Sequence, residues 1–452
     1  MAMNKRELVE ILFERGREKG IEVMEAFIQR SKKLNIRVFK GEIDDYNISD
    51  EDGLSLRGIY KGKMGYSYTE KIDESSIEML IKEVIDNAKV VDSDDEEFIF
   101  EGSKEYKKIN GYNDELDKVS NQEKIEFTRS MEAEALKTDE RVEAVNYCVF
   151  GEQTVHSTLI NTNGLSLEDK SNIAYGYLSV MVKDGDDVKT AMKHVISNDF
   201  SKFKAKELAQ EAVKEAVSQL GADSIESDNY PVILRNEAAA SLIEAYSSIF
   251  SAEKVQKGLS MLKDKIEENI ASDIITLIDD PYMEGGVASR SFDGEGVATE
   301  RKNVIENGKL KTYLHNLKSA KKDGVKSTGN GYKGSYKSTV SIAPTNMYIQ
   351  NGDKEFDDMV GNITKGLIII GLQGLHAGVN TVSGDFSLSA NGYLIENGEI
   401  SKAVNQITVA GNFYEMMKNV VEVGNDLEFT FPGGGYIGSP SLKISELSIS
   451  GK

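Results

Sequence analysis

The chain has 452 residues, 39% hydrophobic and 29% charged, with a net charge of −21. That length exceeds one ordinary core and sets an expectation of two domains. The acidity, with no basic stripe, excludes a reader of phosphate backbones, so no nucleic acid is expected as a partner. One cysteine, Cys148, excludes an internal disulfide framework and suits a reducing compartment. No apolar run approaches the roughly 20 residues of a membrane helix. The opening residues Met1 to Glu7 lack the apolar core of a secretory signal. A cytoplasmic protein with no membrane partner is therefore expected.

Asn4 is placed to cap a first helix, with Leu8, Ile11 and Leu12 on one face. Strands are expected over 26–39, 53–60 and 63–68. Over 75–91, Ile77, Leu80, Ile81, Val84, Ile85 and Ala88 recur at helical spacing. Residues 92–97, Asp-Ser-Asp-Asp-Glu-Glu, read as a solvated acidic loop. Ser120 with Glu123 forms a capping box and opens a helix to about Lys137. Strands return over 142–150, 154–161, 166–168 and 173–182, and a helix follows over 202–220. The texture changes near 221–230. Residues 1–224 read as a mixed helix and strand domain, and 225–452 as a mostly β domain with a helical region over 237–262 and a short helix over 360–366. The fold class is α+β.

Two faint repeats occur. Gly53-Leu54-Ser55-Leu56 recurs as Gly164-Leu165-Ser166-Leu167, each after a polar turn and before a strand. Ile305-Glu306-Asn307-Gly308 recurs as Ile395-Glu396-Asn397-Gly398. Asn-Gly suits a type I′ hairpin, where both central residues need positive φ. The intervals are too wide for a solenoid.

Several signatures fail on context. Gly433 to Gly438 fits G-x-G-x-x-G, but a strand-like Ser439-Pro440-Ser441-Leu442-Lys443-Ile444 follows where a dinucleotide site needs a helix. Gly331 to Ser338 approximates a P-loop with Tyr336 in place of its last glycine. No G-x-S-x-G occurs. The histidines are His156, His194, His315 and His376, and no two lie at helix-pair spacing. A surface or hydrogen-bonded role is ordinary for each. A metal site drawn from distant segments, such as His315 with His376, stays open.

Glu244 lies in a helix fed by the apolar strand Val232-Ile233-Leu234. Ala238, Leu242, Ala245 and Ile249 give that helix an apolar stripe, which by itself explains the segment as core. A base role for Glu244 needs a raised pKa and a metal-activated water.

The segment Ile243-Glu244-Ala245-Tyr246-Ser247-Ser248 resembles the HExxxH helix of the TldD/PmbA family, in which two His bind zinc and the Glu acts as base. Ile243 and Ser248 stand at the His-ligand positions, and only Glu244 remains. Further likenesses follow in order: Asp52-Gly53-Leu54-Ser55-Leu56-Arg57 with Gly65-Tyr66-Ser67, Asp280-Pro281, Phe292-Asp293-Gly294-Glu295-Gly296, Asn307 to His315, Ser327 to Asn330, and Ser383-Gly384-Asp385-Phe386-Ser387. The missing histidines, the lack of a cysteine after Cys148 and the ending Gly438-Ser439-Pro440-Ser441-Leu442 resemble the PmbA (TldE) branch. The resemblance implies a two-part α+β fold and a non-catalytic subunit with no metal or cofactor of its own. Its partner would be a zinc-bearing TldD-type subunit, and the substrate an unfolded or extended peptide. A homodimer in isolation is compatible with it. Two other functions stay open: an independent metallopeptidase using Glu244, His315 or His376, and a regulatory protein linked to DNA gyrase. The segment Gly371 to Gly378 reads either as a place where a peptide backbone approaches closely or as a plain glycine-rich turn.

Overall fold

Capping chemistry opens the chain as expected. The Asn4 side chain and Glu7 form a reciprocal box that starts α1 (Lys5–Glu18). The computed structural model describes residues 4–92, 95–433 and 435–452. Then come β1 (Val23–Phe39), β2 (Glu42–Tyr60), β3 (Lys63–Thr69), α2 (Ile77–Val90), α3 (Asp114–Lys118), α4 (Asn121–Thr138), β4 (Val142–Asn161), β5 (Ser166–Asp184), β6 (Asp187–Ser197) and α5 (Ala205–Ser218). The strands form one antiparallel sheet in the order β3-β2-β1-β4-β5-β6.

The period of two along β1 decides what each face does. Ala26, Ile28, Leu34 and Ile36 share one face. The first two pack with α1 and α2, through Leu8, Leu12, Leu80 and Ile81. The last two pack with α4 and α5, through Phe127, Met131, Leu208 and Val213. Four helices thus cover one face in two pairs, and each buried Leu or Phe contributes roughly 1.5–3 kcal/mol. The opposite face carries Phe27, which packs with Leu159, Leu165 and Tyr336 of the C-terminal half.

Three expectations are corrected here. β4 and β5 run without the interruptions expected near 151–153 and 169–172, because the polar residues there stay in register and find partners; Glu152 pairs with Lys124. Gly53 sits inside β2 opposite Gln29 rather than before a strand, so the first repeat occupies two different settings. The acidic loop is not simply solvated. Asp95 and Glu97 pair with Lys318, and Glu96 with Lys321. Ser93 and Asp94 lie outside the described residues.

In the C-terminal half, β7 (Asp228–Leu234) runs directly into α6 (Asn236–Tyr246). β7 lies between Lys365–Gln373, parallel to it, and Leu442–Ser450, antiparallel to it. Asp385–Glu396 and Glu399–Asn412 extend this sheet, and the latter also pairs with Leu442–Ser450, so the strands close into a ring. The Tyr246 ring stacks on Phe413 at 4.2 Å within the core. Gly392 permits one tight approach, since a Cβ there would lie 1.7 Å from the Ile368 carbonyl oxygen. Both Asn-Gly turns have positive φ at both residues, as the type I′ expectation requires.

The expected helix over 360–366 is displaced. Phe356–Gly361 is helical and Lys365 already begins a strand, with Gly366 too close to the Pro231 carbonyl for a side chain. The helical region over 237–262 is also shorter. α6 ends at Tyr246, a tight turn spans Ser247–Phe250, and only Ala252–Gln256 is helical beyond it. Among the described residues no helix is long and apolar enough to cross a membrane.

A second sheet contains Leu277–Asp279 and Asn346–Ile349. Asp279 is 0% exposed. It accepts from Thr345 N (2.6 Å), Thr345 Oγ1 (2.7 Å), Asn330 Nδ2 (2.8 Å) and Lys302 Nζ (3.1 Å). Burial pushes its carboxyl up, but Lys302 and these donors outweigh burial and hold it below the usual range. Asp279→Ala would leave Lys302 nearly buried without its charge partner. We expect a loss of about 3–5 kcal/mol in urea unfolding; a loss below about 1 kcal/mol would mean the cluster is dispensable.

Candidate functional site

The apolar stripe of α6 turns Ala238, Leu242, Ile243 and Tyr246 into the core. Ile243 is 2% exposed, and its place among aliphatic side chains holds no donor atom. Glu244 points the other way. It lines a cavity of about 140 Å³ with Ser247, Ser248, Ser251, Pro344 and Ile437. Burial pushes its carboxyl above the usual range. Ser248 is exposed and offers only a hydroxyl.

Zinc takes three or four thiolate, imidazole or carboxylate ligands at roughly 2.0–2.3 Å. Ile243 and Ser248 provide none of these, and Glu244 supplies a single carboxylate. Among the described residues no three His, Cys, Asp or Glu side chains are grouped to hold a metal ion. The site does not fit zinc, and no chemical step is assigned to one here. The distant histidines do not repair this. His315 is buried in its own network, with Ser319 Oγ 3.3 Å from Nδ1 and Thr328 Oγ1 accepting from its backbone N–H at 2.7 Å. Burial pushes its imidazole down. His376 is exposed on the loop after Lys365–Gln373. His194 stands beside the Phe431 ring, with burial lowering its pKa, and His156 lies on β4.

In the segment Gly371 to Gly378, Gly371 to Gln373 end the strand Lys365–Gln373, and a turn begins at Gly374. Gly374 accepts from the backbone N–H groups of Ala377 and Gly378, and Gly378 accepts from Ser387 N, so the backbone there is used internally. In the P-loop-like segment, the residue standing in place of the last glycine has a packing role. Tyr336 is buried against Gly53, where a Cβ would lie 2.2 Å from the ring.

A larger feature was not singled out by the sequence as a site. A cavity of about 640 Å³ opens between the two halves, lined by Arg57, Tyr66, Glu295, Asn316 and Lys333 among others. Arg57 of β2 pairs with Glu25 of β1 at 2.7 Å and with Glu295 at 3.4 Å. Glu295 Oε2 also accepts from Leu317 N at 2.8 Å, at the start of the helix Leu317–Asp323. Asp293 accepts from the backbone N–H groups of Glu295 (2.9 Å), Val297 (3.0 Å) and Gly331 (2.8 Å). Burial and the charge of Glu295 push Asp293 up to about 7. The motif around Arg57 and the Asp-x-Glu-Gly segment were visible as separate family likenesses; only the fold joins them. Lys333 lies within the Gly331 to Ser338 segment, at a position the P-loop pattern leaves unspecified.

Three sequence profiles of the PmbA/TldA metallopeptidase match the chain: domain 1 over 24–88, the central domain over 114–220 and the C-terminal domain over 227–451. The chain belongs to the PmbA/TldD metallopeptidase family. Metalloprotease PmbA of Escherichia coli O157:H7 is 26% identical, covering 97% of this chain and 93% of that protein. A Thermotoga maritima crystal structure, described as a candidate modulator of a DNA gyrase, has a TM-score of 0.91 at 32% identity and covers 99% of this chain and all of that one. TldE of Thermococcus kodakarensis has a TM-score of 0.89 at 26% identity, covering 98% of this chain and all of that one.

Because burial raises the Glu244 pKa, the folded chain holds that proton to higher pH than the unfolded chain does. Its presence therefore costs stability as pH rises from the usual carboxylate range through the folded value. Glu244→Gln removes that cost. The melting temperature of the variant should gain on the parent as pH rises above the usual carboxylate range; parallel melting curves would show that the carboxyl is not buried in solution.

Proposed function

We propose that the chain is the non-catalytic, PmbA/TldE-like subunit of a cytoplasmic metalloprotease. A TldD-type subunit would carry the zinc, and the substrate would be an unfolded or extended peptide. The observation that carries this reading is the lack of metal-ligand side chains beside Glu244: Ile243 on α6 is aliphatic, and Ser248, in the turn that follows, offers only a hydroxyl. The likeness to Thermococcus TldE and the metalloprotease names of the relatives support it. In this role the chain contributes surface. An extended peptide pairs most simply with a sheet edge, because main-chain hydrogen bonds ignore side-chain identity, and β3 and β6 are the outer strands of the N-terminal sheet. Glu244 serves packing and solvation of a small cavity.

Co-expression with the TldD-type protein of the same cell tests this. A stable complex should form, and it should cleave unfolded peptides in a chelator-sensitive way. The purified chain alone should cleave none, and Glu244→Gln in this chain should leave the cleavage rate of the complex within about twofold. Failure to form the complex, or chelator-sensitive cleavage by this chain alone, would overturn the reading.

A second reading is favoured by the gyrase-modulator description of the Thermotoga neighbour. A protein with a charge of −21 would act there on a gyrase-linked protein without touching DNA. Unaltered gyrase inhibition in a deletion strain would count against it.

A further inference from the structure

Among the described residues, one cation of the cavity between the two halves, Lys333, forms no ion pair. Lys333 is largely buried. Its Nζ donates to the Ser338 carbonyl at 2.7 Å and to the Tyr66 hydroxyl at 3.2 Å, and it lies over the Phe27 and Tyr66 rings at 5.2 and 4.7 Å. An ammonium has three donors, so one is left over. Among the described residues, every carboxylate lining the cavity is engaged by a different cation. Glu295 is held by Arg57, Glu253 by Lys257, Glu97 by Lys318, and Asp95 by Lys318 and Lys322. Arg57 has its own vacancy: Nη2 is buried and has no hydrogen-bond partner. A buried donor left unsatisfied costs about 1–3 kcal/mol, more when charged.

A spare ammonium donor on the cavity, with the Arg57 guanidinium among its lining residues, calls for a ligand with one negative charge. Glu295 and Glu97 on the same walls oppose a dianion such as phosphate. Met64, Val91 and Val340 supply an apolar wall for a short aliphatic side chain. We infer that this cavity binds a carboxylate, seated on Lys333 Nζ, from a small organic acid or from the free C-terminus of a peptide. The inference concerns this chain alone and does not depend on the proposed partner.

Burial and the charge of Arg57 push the Lys333 amine down to about 7, against the weaker pull of Glu25. An incoming carboxylate favours the charged amine, so binding draws in a proton above that pH. Affinity then falls by up to about tenfold per pH unit above about pH 7. The groups facing Lys333 are Glu25 on β1, Arg57 on β2, Tyr66 on β3, and Asp293 and Glu295, which flank the Gly294 that packs on it. Asp293 titrates in the same range, so the slope belongs to Lys333 only if it disappears with that side chain.

Calorimetry on the purified chain with N-acetyl-trialanine, its C-terminal amide and propionate tests the inference. The free acid should bind at least about tenfold more tightly than the amide. It should take up a proton above about pH 7, read from buffers of different ionisation enthalpy. Lys333→Met should lose at least about tenfold in affinity together with the pH slope, and Lys333→Arg should keep the affinity without the slope. Propionate binding without the tripeptide would assign a small acid; binding of both would assign a peptide terminus. Equal binding of acid and amide, no binding of any probe, or an unchanged affinity and slope in Lys333→Met would overturn it. Should Lys333→Met fail to fold, proton uptake and the preference for acid over amide in the natural chain decide the question.

Discussion

The contact on which the arrangement of the two halves depends is the buried ion cluster of Glu25, Arg57 and Glu295. Glu25 and Arg57 are register partners on β1 and β2, and Glu295 arrives from the C-terminal half. A buried ion cluster adds little net stability, because desolvation offsets most of its attraction, yet removing one member is costly. We interpret its value as orientation. It specifies one docking of the sheet face that carries Phe27 onto the loops that carry Tyr336 and Glu295. Gly53 keeps room for the Tyr336 ring, and the lysines of Leu317–Asp323 hold the acidic segment after α2. The cavity with Lys333 is a consequence of that docking, because its walls come from both sides.

The same economy explains α6. A helix emerging from a central strand is well placed to present side chains at a sheet end; here it carries two carboxyls, Glu237 paired with Lys193 and Arg235, and Glu244 at the small cavity. The position of Ile243 is occupied by core packing with Leu242 and Tyr246. A histidine there would have to replace aliphatic contacts with an imidazole in a dry environment.

Local features were legible from sequence because local physics sets them. The boxes at Asn4 and Ser120, the α2 stripe and the two Asn-Gly turns all depend on residues within a few positions of each other. The α+β class followed from those elements, and the ordered motifs led to the family that the chain belongs to. Long-range features were hidden. The continuity of β4 depends on partners such as Lys124, which no window around Glu152 contains. The strand that begins at Lys365 is flanked by Asp385–Glu396 and, over Leu367 to Ile369, by β7, more than a hundred residues earlier. The acidic stretch after α2 has the composition of a solvated loop, and only the fold supplies its lysines. Lys333 was hidden for the same reason: a lysine in a Gly- and Ser-rich segment is ordinary until the fold places it against Tyr66 and Phe27.

The central claim is that this chain's own side chains do not form a zinc site. Its most direct test is the zinc content of the purified chain, prepared without any partner, dialysed against zinc and then washed free of loosely held metal. Essentially no zinc per chain is the predicted result. Close to one zinc per chain, lost on His315→Ala or His376→Ala, would contradict the claim and restore an independent peptidase.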